Sequence, residues 1–212
     1  MERAILDRLR DEYFDLLPVI RRVLNRLETE IRFHTLAIQQ RLKPHEQLIV
    51  KSRIKECESA VDTVRRKGNQ GRGEGKVFDP ERPEDYSMLN LPDLAGVRVL
   101  VFPDSRLFEV DQTLRGHFLD WRYDPVKNAE NIPIAHKYIG KLDPGRTQVS
   151  AEYQVVPMLL GLYWEVEHAA RYKSVLKQSQ RMSDLNAKVE NALSDFEAGI
   201  ASLLPDNSQS DS

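Results

Sequence analysis

The chain has 212 residues, 41% hydrophobic and 30% charged, which suits one globular domain with helical extensions, or at most two small domains. A formal net charge of -2 makes no bulk case for nucleic-acid binding, and a single cysteine, Cys57, excludes an internal disulfide framework and fits a reducing compartment. No apolar run approaches the roughly 20 residues of a membrane span, and the charged, amphipathic start MERAILDRLR is unlike a secretory signal, so a soluble cytoplasmic protein without a membrane partner is expected.

Residues 2–17 place Ile5, Leu9, Tyr13 and Leu16–Leu17 on one face at helical spacing. Pro18 interrupts, or opens a second helix over 19–42 whose apolar positions are Val19, Val23, Leu27, Ile31, Leu36, Ile38 and Leu42. Both read as outer packing helices. Leu48–Lys55 alternates as a strand. Glu58–Lys67 reads as a helix with Ala60, Val61 and Val64 facing inward, a basic end at Arg65–Arg66–Lys67, and Gly68 as its C-cap. The segment 68–84 is rich in glycine and proline. Its GRGEGK is not a phosphate-binding P-loop, because Gln70 and Val77 stand where a glycine and a Ser or Thr are required.

Leu91–Phe102, LPDLAGVRVLVF, is a mostly buried strand opened by Pro92. Asp104–Phe118 follows as a helix capped by Asp104 or Ser105, with Leu107, Val110, Leu114 and Phe118 inside. Residues 121–128 and 137–142 are weaker strand candidates. Gln148–Val156 is a better one: Val149, Ala151, Tyr153 and Val155 share one face, and Glu152, Gln154 and Val156 the other. From Pro157 to Leu204 the chain is helical in character. Beyond Lys173 the apolar positions thin to Val175, Met182, Leu185, Val189, Leu193, Phe196, Ile200 and Leu203, whose spacing suits a coiled-coil-like seam, to pack on residues 2–42 or on another chain. The order predicts an α+β fold around a sheet of about five strands.

The strand candidates carry polar residues that burial alone does not ask for: Arg53 and Lys55, Asp93 and Arg98, Glu152 and Gln154. Carboxylates from neighbouring strands can hold a magnesium ion, and basic residues beside them suit a polyphosphate. An arginine in an apolar run needs an anion or a flat ring. The five histidines are scattered, and no ligand spacing links them with Cys57.

These residues resemble the RelA/SpoT-type alarmone synthetases. Ser52-Arg53-Ile54-Lys55 with Glu58-Ser59 is similar to the family's SRIKxxES stretch, and Arg65–Gly68 to its KRKG helix end. Asp93–Val99 resembles its D-[IL]-x-G-[IV]-R-[IV] strand. Glu152-Tyr153-Gln154-Val155 resembles its E-x-Q-[IV]-R-T strand, and Trp164, Glu167-His168 and Tyr172-Lys173 its W-x-x-[IL]-E-H-x-x-x-Y-K helix. The resemblance spans about residues 45–175 and leaves no room for the family's hydrolase domain. It implies a nucleotidyltransferase-like mixed sheet. It also implies transfer of the β,γ-pyrophosphate of ATP to the 3′-hydroxyl of a guanine nucleotide. Asp93 and Glu152 would then be catalytic and bind Mg2+; Arg53 and Arg98 would sandwich the adenine; Lys55, Arg66 and Lys67 would touch the triphosphate.

The departures fall on the acceptor side. The stretch nearest to the family's G-Y-[RK]-S-[LV]-H is His136–Leu142, where Tyr138 would stack the guanine, with Lys137 and Gln154 beside it. Val156 and Pro157 replace the arginine and threonine of the E-x-Q-x-R-T strand, Gly161 stands where small synthetases often carry asparagine, and Thr63 where a phosphate-binding lysine is usual. Three outcomes stay open: an alarmone synthetase, a toxin-like enzyme acting on tRNA 3′ ends through Arg65–Lys67, Lys137, Lys141 and Arg146, or an inactive nucleotide-binding regulator. The expected organisation is N-terminal helices over 1–44, a synthetase core over 45–175, a helical extension over 176–204 that can serve homo-oligomer formation, and a disordered tail over 205–212.

Overall fold

Segments in which apolar and polar residues alternate pair into one mixed sheet, because only pairing satisfies their backbone groups while one face is buried. The computed structural model describes residues 2–69, 78–79, 81–128, 130–142, 149–173 and 180–203. The glycine-rich stretch 70–77, Arg146, Val175, the tail from 205, and the side chains of His168, Tyr172, Lys173 and Met182 lie outside the described residues. The strands are β1 (Gln47–Ile54), β2 (Ala95–Phe102), β3 (Arg122–Tyr123), β4 (Val126–Lys127), β5 (Pro133–Gly140) and β6 (Ala151–Pro157). Their order is β1-β2-β6-β5-β3, with β4 also on the outer edge of β5. The sheet is therefore six strands in five positions. Only β2 and β6 run parallel; the other pairs are antiparallel.

Helix α1 (Glu2–Gln39) and helix α3 (Leu107–His117) cover one face of the sheet. There Ile20, Leu27 and Ile31 of α1 and Val110 and Leu114 of α3 bury against Val50, Val97, Val99, Tyr153 and Val155. Pro18 does not break α1, which runs through it as one helix. Proline withdraws one N–H from the ladder, but Phe14 and Pro18 lie on the exposed side, where water can satisfy the released carbonyl. Helix α2 (Cys57–Gly68) buries Ala60, Val61 and Val64, as its periodicity predicts. Its C-cap is Asn69, not Gly68. Gly68 serves a different need: a Cβ there would collide with the buried Tyr86 ring.

Helix α4 (Met158–Lys173) crosses the opposite face, and helix α5 (Gln180–Leu203) packs on α4 and on the 3-10 turn Asp104–Arg106. The predicted seam therefore lies against α4 rather than along α1. Of its residues, Val189, Leu193 and Ile200 are half-buried, while Leu185, Phe196 and Leu203 stay exposed. Pro157 ends β6 instead of opening the helix. Neither Asp104 nor Ser105 caps α3 with its side chain, because the 3-10 turn intervenes. No helix among the described residues is long and apolar enough to cross a membrane.

Candidate active site

The face under α4 divides into two parts. At one end Leu100, Ala135, Val156, Met158 and Leu160 form a small apolar cluster with Trp164 against it. At the other end the pairing lines up two polar rows across the sheet. Lys51, Arg98, Gln154 and Lys137 are mutual register partners, and so are Arg53, Gly96, Glu152 and Ile139. Gly96 leaves the floor open between Arg53 and Glu152. A Cβ there would sit 3.7 Å from Arg53 Cγ, an ordinary contact, so the glycine provides space rather than relieving a clash. The result is a cleft of about 240 Å³ lined by Lys51, Ser52, Arg53, Gly96, Val97, Arg98, Glu152, Gln154 and Glu165.

Glu152 is buried, and burial is the main cause pushing its carboxyl above the usual range. The negative charge of Asp93 adds to the rise; Lys137, a hydrogen bond from Gln154 and Arg53 partly offset it. Gln154 Nε2 donates to Glu152 Oε1 at 2.6 Å, and Arg98 Nε donates to Gln154 Oε1 at 3.1 Å. This chain orients the glutamate from the floor of the cleft.

Asp93 stands just before β2. The backbone N–H of Lys55 donates to the Leu94 carbonyl at 3.0 Å, which fixes the end of β1 beside it. Lys55 Nζ donates to Asp93 Oδ2 at 2.6 Å, whereas Asp93 Oδ1 is buried without a hydrogen-bond partner. A buried carboxylate oxygen left unpaired is costly. Together with a second carboxylate whose ionisation it opposes, it makes an oxygen donor set that a hard divalent cation fits.

Arg98 is held on several sides. Its Nη1 donates to the Gly161 carbonyl at 3.3 Å, lies 4.0 Å from Glu165 Oε1, and the guanidinium sits 5.8 Å from the Trp164 ring centre. Burial and the nearby Arg53 both disfavour its charge. Arg53 is exposed and makes no ion pair among the described residues. Two guanidiniums at one cleft that repel each other favour a flat, electron-rich guest between them.

Arg53, Arg98, Glu152 and Gln154 thus share one cleft, and Asp93 and Lys55 border it. Lys137 lies on the same face but is tied to Asp124 at 2.8 Å. Arg66 and Lys67 are exposed at the far end of α2 and do not line the cleft. Arg65 and Arg66 both pair with Asp62, so that basic end is partly neutralised.

Tyr138 is misplaced for guanine stacking. Its register partner is the core residue Tyr153, on the opposite face from Glu152, and the two rings stack 4.7 Å apart. Its hydroxyl donates to the buried Asp111 at 2.8 Å, and burial with that bond pushes its ionisation strongly up. It is a core tyrosine because alternate residues of a strand face opposite ways.

The parts played by Lys51, Glu165 and Gly161 escaped sequence reasoning. Lys51 precedes Arg53 by two, so strand periodicity could have placed it on this face. Glu165, which holds Lys51 Nζ at 2.6 Å, and Gly161 depend on where α4 crosses. A Cβ on Gly161 would collide with Leu100, so the glycine lets α4 approach β2 and offer its carbonyl to Arg98. Trp164 of the family-like helix is half-buried and donates its indole N–H to Glu190 at 2.9 Å.

No protein-family model matches the sequence, and no curated protein matches it. Solved structures do. Small alarmone synthetase 1 from Bacillus subtilis bound to its product pppGpp superposes with a TM-score of 0.66 at 16% identity, covering 91% of this chain and 96% of that one. The same enzyme bound to AMPCPP gives 0.61 at 15% identity, covering 92% and 98%. A GTP pyrophosphokinase family protein from Streptococcus pneumoniae gives 0.60 at 18% identity, covering 89% and 92%. The chain therefore has the fold of the small alarmone synthetases over nearly its whole length.

Proposed function

We propose that this chain is a magnesium-dependent pyrophosphokinase that moves the β,γ-pyrophosphate of ATP to the 3′-hydroxyl of GTP or GDP and releases AMP. The observation that carries this reading is the Asp93–Glu152 pair beside the two arginines, in a fold whose neighbours were solved with pppGpp and with AMPCPP. Asp93 and Glu152 would hold a magnesium ion, which when bound offsets charge on the transferred phosphates. Arg53 and Arg98 grip the adenine. Lys55, already beside Asp93, lies within reach of the triphosphate. Glu152, oriented by the hydrogen bond from Gln154, would complete the metal site or accept the 3′-hydroxyl proton as the oxygen attacks the β-phosphorus in line. At about 240 Å³ the cleft is smaller than typical small-molecule pockets of roughly 300–1,000 Å³, so it houses the donor base and leaves the phosphates at its open edge.

The acceptor side supports a departure from the family pattern. Setting G-Y-[RK]-S-[LV]-H on Asn131–His136 puts the glycine on Asn131, whose φ of 65° is the left-handed region glycine favours. The histidine then falls on His136, and the stacking position on Ile132, which is exposed just before β5. Pro133 and Ile134 take the places of a cation and a hydroxyl. An acceptor base would meet an aliphatic side chain here instead of a ring. This favours, as a second reading, a protein that binds ATP without turning it over on a guanine nucleotide. The tRNA version draws less support, since Arg65, Arg66 and Lys137 are all engaged with aspartates.

The test is incubation with γ-labelled ATP, magnesium, and GDP or GTP, following labelled guanine nucleotide and AMP. Labelled guanine nucleotide formed in step with AMP supports the synthetase. No product from any guanine nucleotide rejects it; label on bulk tRNA selects the toxin-like enzyme. ATP-dependent stabilisation without product, lost in Arg53→Ala, selects the regulator.

A further inference from the structure

On the other side of the sheet from the cleft, three side chains far apart in sequence converge. Glu30 and His34 are one turn apart on α1, and His117 ends α3. One ligand atom from each lies within 4.8 Å of the other two. We propose that Glu30, His34 and His117 bind a zinc-class divalent transition metal that clamps α1 to α3.

Distances separate this reading from a hydrogen-bonded cluster. Glu30 Oε2 lies 3.6 Å from His34 Nε2 and 3.4 Å from His117 Nε2. Both exceed the roughly 2.7–3.2 Å of an N–H···O bond. The shorter matches, and the longer slightly exceeds, the separation between ligands of a tetrahedral zinc, roughly 3.3–3.5 Å when each bond is about 2.0–2.1 Å. The two imidazole rings lie close together, tilted by 31° with centres 3.5 Å apart. Two protonated rings at that range repel, whereas two neutral rings offer lone pairs to one ion.

The surroundings orient the ligands. Arg26 Nε is 3.9 Å from the other oxygen of Glu30, Oε1, leaving Oε2 for the metal. Phe33 packs edge-on against His34, and Phe118 edge-on against His117. Two imidazoles and one carboxylate suit zinc, cobalt or nickel; magnesium, which takes oxygen ligands, is excluded by the donor set. Three protein ligands leave a fourth position for water at this half-exposed site. The site belongs to the packing of α1 on α3 and is separate from the Asp93–Glu152 pair.

The test uses the untagged full chain dialysed against zinc chloride with excess magnesium, with bound metal measured by mass spectrometry. Stoichiometric zinc is expected, with a Tm raised by about 5 °C at a hundredfold excess over Kd. Cobalt in place of zinc should give the intense visible bands of a tetrahedral centre. His34→Ala and His117→Ala should lose metal, bands and shift. Glu30→Gln, which preserves shape and helix, should weaken all three while its circular dichroism stays that of the parent. A parent that retains no zinc, or variants that bind it equally, would overturn the proposal.

Discussion

Alkaline pH should loosen the C-terminal helix, because one buried glutamate on it needs a proton. Glu197 of α5 is fully buried, and its Oε1 accepts the Leu159 N–H at 2.6 Å, where α4 begins. When both carboxyls are ionised, Glu197 Oε2 and Asp104 Oδ1 are each buried without a donor. One shared proton satisfies both. Burial, and then the hydrogen bond with Asp104, push Glu197 up to about 8 from an ordinary 4.5. The folded value lies above the unfolded one. The stabilisation is therefore whole below the unfolded value and is lost as pH rises through the folded one. Between pH 6 and pH 9 the linkage integrates to about 2–3 kcal/mol. For a chain of this size that is a Tm loss of about 5–10 °C. Thermal melts by circular dichroism of the parent and of Glu197→Gln, at several pH values, measure it. Glutamine presents an N–H to Asp104 at every pH, so the variant should gain on the parent steadily toward pH 9. Parallel curves would show that Glu197 titrates normally and that the pairing with Asp104 is wrong.

Four further outcomes are expected. Glu152→Gln should lower kcat by about 10²–10⁴-fold, the usual reach of a general base, while its denaturant midpoint stays level or rises; an unfolded variant would mean that Glu152 is structural. Arg53→Ala should weaken ATP binding about 5–30-fold, the equivalent of a cation–π contact of roughly 1–2 kcal/mol, and calorimetry showing parental affinity would remove Arg53 from the donor site. Gly161→Ala should cost about 1–3 kcal/mol through its collision with Leu100, read as a lower urea midpoint with unchanged m. Tyr138→Phe should cost about 1–3 kcal/mol by stripping the buried Asp111 of its donor; an exposed stacking tyrosine would tolerate the change freely.

Local pattern was enough for much of this protein. Alternation along Leu48–Lys55, Leu91–Phe102 and Gln148–Val156 defined β1, β2 and β6 and the faces on which Arg53, Arg98, Glu152 and Gln154 lie, since strand side chains alternate with period two. Helical spacing located Ala60, Val61 and Val64 of α2 and the inner face of α3, and motif order anticipated the fold. What depended on pairs distant in sequence had no local signal. The register of β5 on β6 turned Tyr138 into the core against Tyr153 and set Lys137 beside Gln154. The crossing of α4 at Gly161 brought Glu165 to Lys51, and the packing of α1 on α3 brought His34 to His117. Burial raised Glu152 and Glu197 only once neighbouring elements had closed over them. A residue's own neighbours dictate which way it points, but what it meets there depends on how separate elements dock, and docking follows from the summed burial of whole faces.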